Sequence, residues 1–197
     1  METNKKLKAK DLINVGIYTA IYIVFFFVVG MLNAIPVLYP FLYLLIPLIS
    51  GIPFMLFLTK TEKFGMVTIM SVICGVFWFF MGYTWTAIVG YVVFGLIADL
   101  VLKAGKYKNF KVDVIGYWLF SCGMIGCQAP MWVMADTYMA QVEASMGEQY
   151  ASELAHYIDC LCVDYDSMKK IRASYYLLGA LLGRKMLKKH FERAGIV

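Results

Sequence analysis

Charge is scarce in this sequence. Only 16% of the 197 residues are Asp, Glu, Lys or Arg, where an ordinary soluble domain carries about a quarter. Apolar residues make up 61%, and the mean hydropathy is +0.71. A soluble fold of this size could not hide so much apolar surface, whereas a bilayer is a natural solvent for it. The nucleotide-binding string G-x-x-x-x-G-K-[ST] is absent. Its nearest approach, Gly179 to Lys185, has the wrong spacing, lacks the hydroxyl and lies inside an apolar run. That excludes ATP hydrolysis by this route. No H-E-x-x-H, G-x-S-x-G or comparable catalytic string occurs either. The expectation is a non-catalytic chain without a cofactor or a metal.

What is present is a series of long apolar runs. Six can be drawn, roughly 12–32, 35–58, 64–80, 86–102, 114–134 and 171–187. The first, about 21 residues, would span roughly 31 Å as a helix and exceeds the apolar core of a secretory signal, so it reads as a retained span. Only helices or closed barrels satisfy their backbone in lipid, and runs of this length without two-residue alternation mean helices. The predicted fold is an all-α integral membrane protein, a bundle of six transmembrane helices in one domain.

The net charge of +5 does not indicate nucleic acid, because the basic residues sit in short runs between the apolar ones. Lys5, Lys6, Lys8 and Lys10 precede the first run, and Lys60 and Lys63 follow the second. Lys103, Lys106, Lys108 and Lys111 follow the fourth. Arg184, Lys185, Lys188, Lys189 and Arg193 lie at or beyond the end of the sixth. With six spans all 15 fall on one side, and only Lys169, Lys170 and Arg172 on the other. The positive-inside rule then puts both termini in the cytoplasm. The longer outer loop, 136–170, carries seven acids. Its part from Thr137 to Tyr157 is rich in helix formers, and its length in so economical a chain favours a lid or a binding surface.

Four of the 5 prolines, at 36, 40, 47 and 53, fall in or near the second run, which predicts a bent, broken or re-entrant span. Cys74, Cys122 and Cys127 read as small packing residues. Cys160 and Cys162, with His156, Asp159 and Asp164, match no standard zinc spacing, and a disulfide between the two would be strained. Small residues four apart occur at Gly16 and Ala20, Ser71 and Gly75, and Gly179 and Gly183. Each pair suits close helix packing, inside the bundle or against another membrane protein. Asp99, with Lys103 one turn on as a candidate partner, predicts a structural or coupling role near the inner face.

A candidate ligand site follows from aromatic and polar residues of the outer half. Tyr83 and Trp85 stand at the second outer turn. Gln128, Trp132 and Asp136 are four apart and are predicted to share a face of the fifth span. Tyr175 and Tyr176 open the sixth. Aromatic walls with a few placed polar groups suit a small organic ligand, although Trp and Tyr also populate interfacial belts.

Four strings carry a resemblance to a known family: KLKAKDLINVGIYTAIYI from Lys6 to Ile23, GIPFMLFLTKTEKFGMVTIMS from Gly51 to Ser71, VFGLIADLVLKAGKYK from Val93 to Lys108, and LGALLGRKMLKKHFERAGI from Leu178 to Ile196. In this order they resemble the Trep_Strep (MptD-type) family of S components of energy-coupling-factor (ECF) transporters. The likeness covers most of the chain and thins from Asp159 to Ser174. It implies a six-helix subunit of the bacterial plasma membrane that captures a vitamin or other micronutrient outside. Such a subunit docks on a membrane scaffold, the T component, which is coupled to two cytoplasmic ATPases. It also implies that the small-residue motif of the first helix, here Gly16 and Ala20, meets the scaffold, and that ligand binds on the outer side. The competing expectations are a small membrane interaction or regulatory protein without ligand, and a stand-alone facilitator.

Overall fold

The computed structural model describes residues 7–35, 38–61, 63–107 and 109–163. Their regular structure is helical: α1 (Ala9–Gly30), a 3₁₀ turn (Met31–Ala34), α2 (Tyr39–Leu58), α3 (Met66–Phe80), α4 (Thr86–Ala104), α5 (Phe110–Cys122), α6 (Ile125–Val133), α7 (Ala135–Met146) and α8 (Glu148–Val163). Ala9–Gly30, Thr86–Ala104 and the stretch Phe110–Cys127 are long and apolar enough to cross a membrane, while Leu48–Leu58 and Met66–Phe80 are shorter apolar helices. The predicted sixth span, with Tyr175, Tyr176, Gly179 and Gly183, lies outside the described residues.

Helix α1 begins where Lys8 N–H donates to Asp11 Oδ2 at 2.7 Å, half of a capping box at an end where a carboxylate is favoured by the helix dipole. Val15, Thr19, Tyr22, Phe26 and Val29 form its buried stripe. The opposite stripe, including Ile13, Gly16, Ile17 and Ala20, is exposed. The second helix starts at Tyr39 rather than at 35. Ile35 precedes a proline and is extended (φ −111°, ψ 107°), because the proline ring disfavours the helical conformation before it. Pro47 and Pro53 do not break α2, which runs unbroken through both. Ser50 is tied down inside it, its Oγ donating to Ile46 O at 2.6 Å and lying 3.1 Å from Tyr117 Oη on α5.

The basic end of the bundle is organised by Asp99. This carboxylate is fully buried. Its Oδ2 accepts from Gly65 N–H (2.8 Å), Thr68 N–H (3.0 Å) and Thr68 Oγ1 (2.8 Å), and its Oδ1 accepts from Tyr107 Oη (2.8 Å). Asp99 therefore caps α3 from α4. Gly65, with φ +100°, adopts the left-handed turn that presents its N–H there. Burial and the Asp99 charge hold the Tyr107 hydroxyl well above its ordinary pKa, so it stays a donor. The expected Asp99–Lys103 pair does not form: Lys103 Nζ sits 5.3 Å over the Phe64 ring instead, while the carboxylate is turned inward to the α3 N-terminus. Lys63 pairs with Asp11 and joins the α2–α3 connection to the start of α1.

One further expectation is corrected: the fifth span, expected at 114–134, starts at Phe110 and is interrupted at Gly123–Met124 between α5 and α6. The helix-forming part expected at 137–157 is helical, but as two helices: α7 and α8 occupy 135–163, folded back on each other at Gly147. No residue of α7 is buried, whereas Ala151 and Leu154 of α8 are, and α8 packs against α2. Cys160 and Cys162 fall two apart on α8, so their positions lie on nearly opposite faces and a bridge between them does not fit.

The Asp99 clasp yields a test. Asp99→Ala leaves several buried donors unpaired and should destabilise the protein by about 3 kcal/mol. Asp99→Asn, which retains acceptor oxygen, should lose less. Thermal unfolding midpoints in mild detergent check both.

Candidate functional site

Four helices bring polar side chains together inside the bundle. Cys74 and Trp78 are one turn apart on α3 and both face inward. Tyr22 and Phe26 stand one turn apart on α1, Tyr91 comes from α4, and Cys127 from α6. All six are under one-tenth exposed. The Tyr91 side chain lies within electrostatic reach of Tyr22, Cys74, Trp78 and Cys127. Around these atoms the rings interlock. Phe26 and Trp78 have centroids 4.6 Å apart. Phe120 of α5 meets Tyr22 edge-on at 5.5 Å and Tyr91 at 6.0 Å. The column continues through Phe54, 4.6 Å from Phe120, to Tyr117, 5.1 Å from Phe54.

Every polar group in this cluster is neutral at ordinary pH. The buried carboxylate, Asp99, is eight residues farther along α4 than Tyr91, about 12 Å. Among the described residues two buried side-chain polar atoms have no hydrogen-bond partner, Trp78 Nε1 and Ser121 Oγ. The indole is the more telling of the two. It has a single fixed donor, whereas a serine hydroxyl can rotate; the Tyr91 hydroxyl stands within hydrogen-bonding reach of it, without good alignment. An unmade buried hydrogen bond costs about 1–3 kcal/mol.

The helix break beside this cluster has a specific cause. Around it the backbone bonds shorten to three-residue spacing: Gly123 N–H to Phe120 O, Met124 to Ser121, Gly126 to Gly123 and Cys127 to Met124, at 3.0–3.2 Å. Pro130, inside α6, has no N–H to give Gly126 O. Thr86 replaces it, its Oγ1 donating to Gly126 O at 2.7 Å. Because the Thr86 proton is thus used, Thr84 donates to Thr86 in the short bond between the two hydroxyls. The replacement requires α4 and α6 to touch by backbone. A Cβ on Gly90 would lie 2.7 Å from Gly126 Cα and Gly123 O, a distance no side-chain carbon occupies.

Of the sequence-predicted site residues, Tyr83, Trp85 and Asp136 have described side chains, and these stand in different surroundings. Tyr83 is half-buried and meets Trp78 edge-on at 5.6 Å, so it extends the aromatic column. Trp85 is 64% exposed and Asp136 is exposed in the first turn of α7. Gln128 and Trp132 lie one turn apart on α6, and their side chains are outside the description. The face once drawn through 128, 132 and 136 does not exist, because the chain breaks at Met134 (φ −134°, ψ 48°) and Asp136 belongs to the next helix. Sequence reading missed Tyr22, Trp78, Tyr91 and Thr86. No sequence signal set Trp78 apart: it lies two residues from the end of its predicted span, where a belt tryptophan is ordinary.

The small-residue motifs also part company. Ser71 and Gly75 are buried between α3 and α4: Ser71 Oγ donates to Tyr91 O at 2.8 Å, and a Cβ on Gly75 would lie 3.1 Å from Ile88 Cα. Gly16 and Ala20 are exposed, and a Cβ on Gly16 would meet nothing within 4 Å.

The break predicts a double-mutant cycle. Thr86→Val should cost about 1–3 kcal/mol by leaving Gly126 O unpaired, and Thr86→Ser should cost little. In a Pro130→Ala background, where an N–H returns, the Thr86→Val penalty should shrink. Thermal midpoints of the four combinations measure the coupling.

Comparison with known proteins gives one match. A family model described as a hypothetical bacterial integral membrane protein (Trep_Strep) matches residues 9–193. No curated protein and no solved structure matches. The match spans nearly the whole chain and agrees with the long apolar helices: the chain belongs to the Trep_Strep family and is an integral membrane protein.

Proposed function

We propose that the chain is the substrate-binding S component of an ECF importer. It captures a small micronutrient outside and delivers it together with a T component and two ATPase subunits. In this reading there are six spans, the sixth at 171–187, and the lysine-bearing end with both termini is cytoplasmic. The chain itself is not an enzyme; partner subunits hydrolyse ATP.

The observation that carries the reading is the outward stripe of α1. A helix that packs only within its own bundle turns its small residues inward, as α3 does with Ser71 and Gly75. On α1 the inward stripe is large (Tyr22, Phe26, Val29), and Gly16 and Ala20 lie on the outside beside Ile13 and Ile17. In lipid, small residues at four-residue spacing allow another helix to approach closely, which is what docking on a scaffold requires. The family resemblance gives the same two positions that role. Two features support ligand capture: the buried aromatic cluster, and the α7–α8 hairpin seated on α2.

Ala20→Trp tests the docking. The side chain points away from the bundle, so the variant should keep the wild-type thermal midpoint. It should fail to co-purify with co-expressed T component and ATPases, and Gly16→Trp should behave the same way. An intact complex from both variants would count against the reading.

A further inference from the structure

We infer that the outward face of α8 is a binding site for one divalent cation of zinc's class, with His156, Asp159 and Cys160 as its protein ligands and Glu153 as the carboxylate behind them. Such a site needs nothing from the S-component reading, and it departs from the expectation of a chain without a metal.

The helix register gathers the donors. Helix α8 runs unbroken from Glu148 to Val163, so each residue turns about 100° from the last. Asp159 then stands about 60° to one side of His156 around the axis and Cys160 about 40° to the other. Contacts of the described residues fix which way this arc looks. Ala151 and Leu154, on the opposite side of the helix, are buried, and Tyr150 packs against the core. Gln149, Ser152 and His156, which lie within the arc, are exposed, and Glu153 at its edge is half-buried. The side chains of Asp159 and Cys160 are outside the description, and their place on the arc follows from the backbone. Among the described residues α8 is not one of the apolar helices, which leaves this face to water.

The donor types choose the ion. Residues three and four apart are neighbours on a helix surface, with Cβ atoms about 5–6 Å from each other. Asp159 and Cys160 are therefore each one turn from His156. Two ligands at the four-residue spacing of His156 and Cys160 close on a single ion in H-E-x-x-H helices. Imidazole nitrogen, thiolate sulfur and carboxylate oxygen are the donors that zinc accepts, and three of them leave its fourth tetrahedral position open. Calcium and magnesium take oxygen and would leave the nitrogen and sulfur unused. On binding, the Cys160 thiol gives its proton to solvent and its sulfur forms the bond to the metal. Metal-bound histidines donate their other ring N–H to a carboxylate. Glu153, one turn before His156, supplies one, and Gln149 Nε2 donates to its Oε1 at 3.3 Å.

Sequence spacing hid this set because it set Cys160 beside Cys162. The helix turns Cys162 about 160° away from Cys160, toward the side that carries Ala151 and Leu154. The two cysteines are thereby distinguishable by experiment.

Cobalt(II) and zinc(II) are the probes. They are added to the full chain in mild detergent, with its affinity tag removed and its thiols kept reduced by a phosphine. Cobalt should bind at one per chain and give a thiolate-to-cobalt charge-transfer absorption. Zinc should displace it and magnesium should not. Cys160→Ser should abolish that absorption, and Cys162→Ser should leave it unchanged. His156→Ala and Asp159→Asn should each weaken zinc by about tenfold or more, and Glu153→Gln by about tenfold, since outer partners of a metal ligand are worth about that much. A wild-type chain that binds no cobalt, or binds it without the thiolate absorption, would overturn the inference whatever the variants do. Equal loss of the absorption in Cys162→Ser and Cys160→Ser would overturn it as well.

Discussion

The buried carboxylate of Asp99 ties three chain segments that no apolar contact could hold in register. Membrane helices slide and rotate against each other at small cost, because lipid tails are as apolar as leucine. A charge with four donors cannot slide. Asp99 fixes the first turn of α3 through Gly65 and Thr68, and the α4–α5 turn through Tyr107. That turn carries two consecutive left-handed non-glycine residues, Lys106 and Tyr107. Such conformations cost about 1–2 kcal/mol each and persist only where surrounding contacts demand them. The Tyr107–Asp99 bond is such a contact. With Lys63 paired to Asp11, the starts of α1 and α3 and the end of α4 form one polar knot at the basic end.

Away from the knot the bundle is held by different means. Ser71 on Gly95, Gly75 on Ile88 and Gly90 on Gly126 are contacts in which a missing side chain is the attractive feature. They bring α3, α4 and α6 to backbone distance and so allow Thr86 to reach the carbonyl that Pro130 leaves bare. Here the kink, its repair and the glycines form one device: remove the close approach and the threonine no longer reaches. The bundle is rigid at one end through ionic and charge-assisted bonds, and interrupted at the level of Gly123, where the aromatic cluster lies.

Much of this was legible in the sequence because apolar run length and lysine placement are one-dimensional signals. The spans of α1, α3 and α4 lie within a few residues of where hydropathy put them. The structural role expected of Asp99 also holds, but its partners do not. Lys103 is one turn away in sequence and obvious. Gly65 and Thr68 are more than 30 residues away, and only the packing of α3 on α4 makes them neighbours. The break at Gly123 escaped for a similar reason. Pro130 was not singled out in the sequence, and the repair of its missing N–H depends on Thr86 and Gly90 of another helix. The ligand residues were sought at the ends of spans, where Trp and Tyr gather for interfacial reasons, and this drew attention to Trp85 and Asp136. The cluster that forms uses Tyr22 and Tyr91 from within their spans and Trp78 from near the end of its span, and in the sequence none of these differs from an ordinary core or interfacial aromatic.

The two small-residue motifs show why spacing alone does not assign a surface. Gly16–Ala20 and Ser71–Gly75 are equivalent as strings. What separates them is the other side of each helix. The far side of α3, with Val72, Ile73, Val76 and Phe80, is bulky and exposed, so its small face must be the one that packs inward. On α1 the bulky inward residues Tyr22 and Phe26 already fill the space toward α3 and α5, and among the described residues no neighbour approaches Gly16. A stripe of small residues that relieves no crowding within its own fold lowers helix propensity at Gly16 by about 1 kcal/mol relative to alanine. Nothing among the described residues offsets that cost, and close approach by a second helix would.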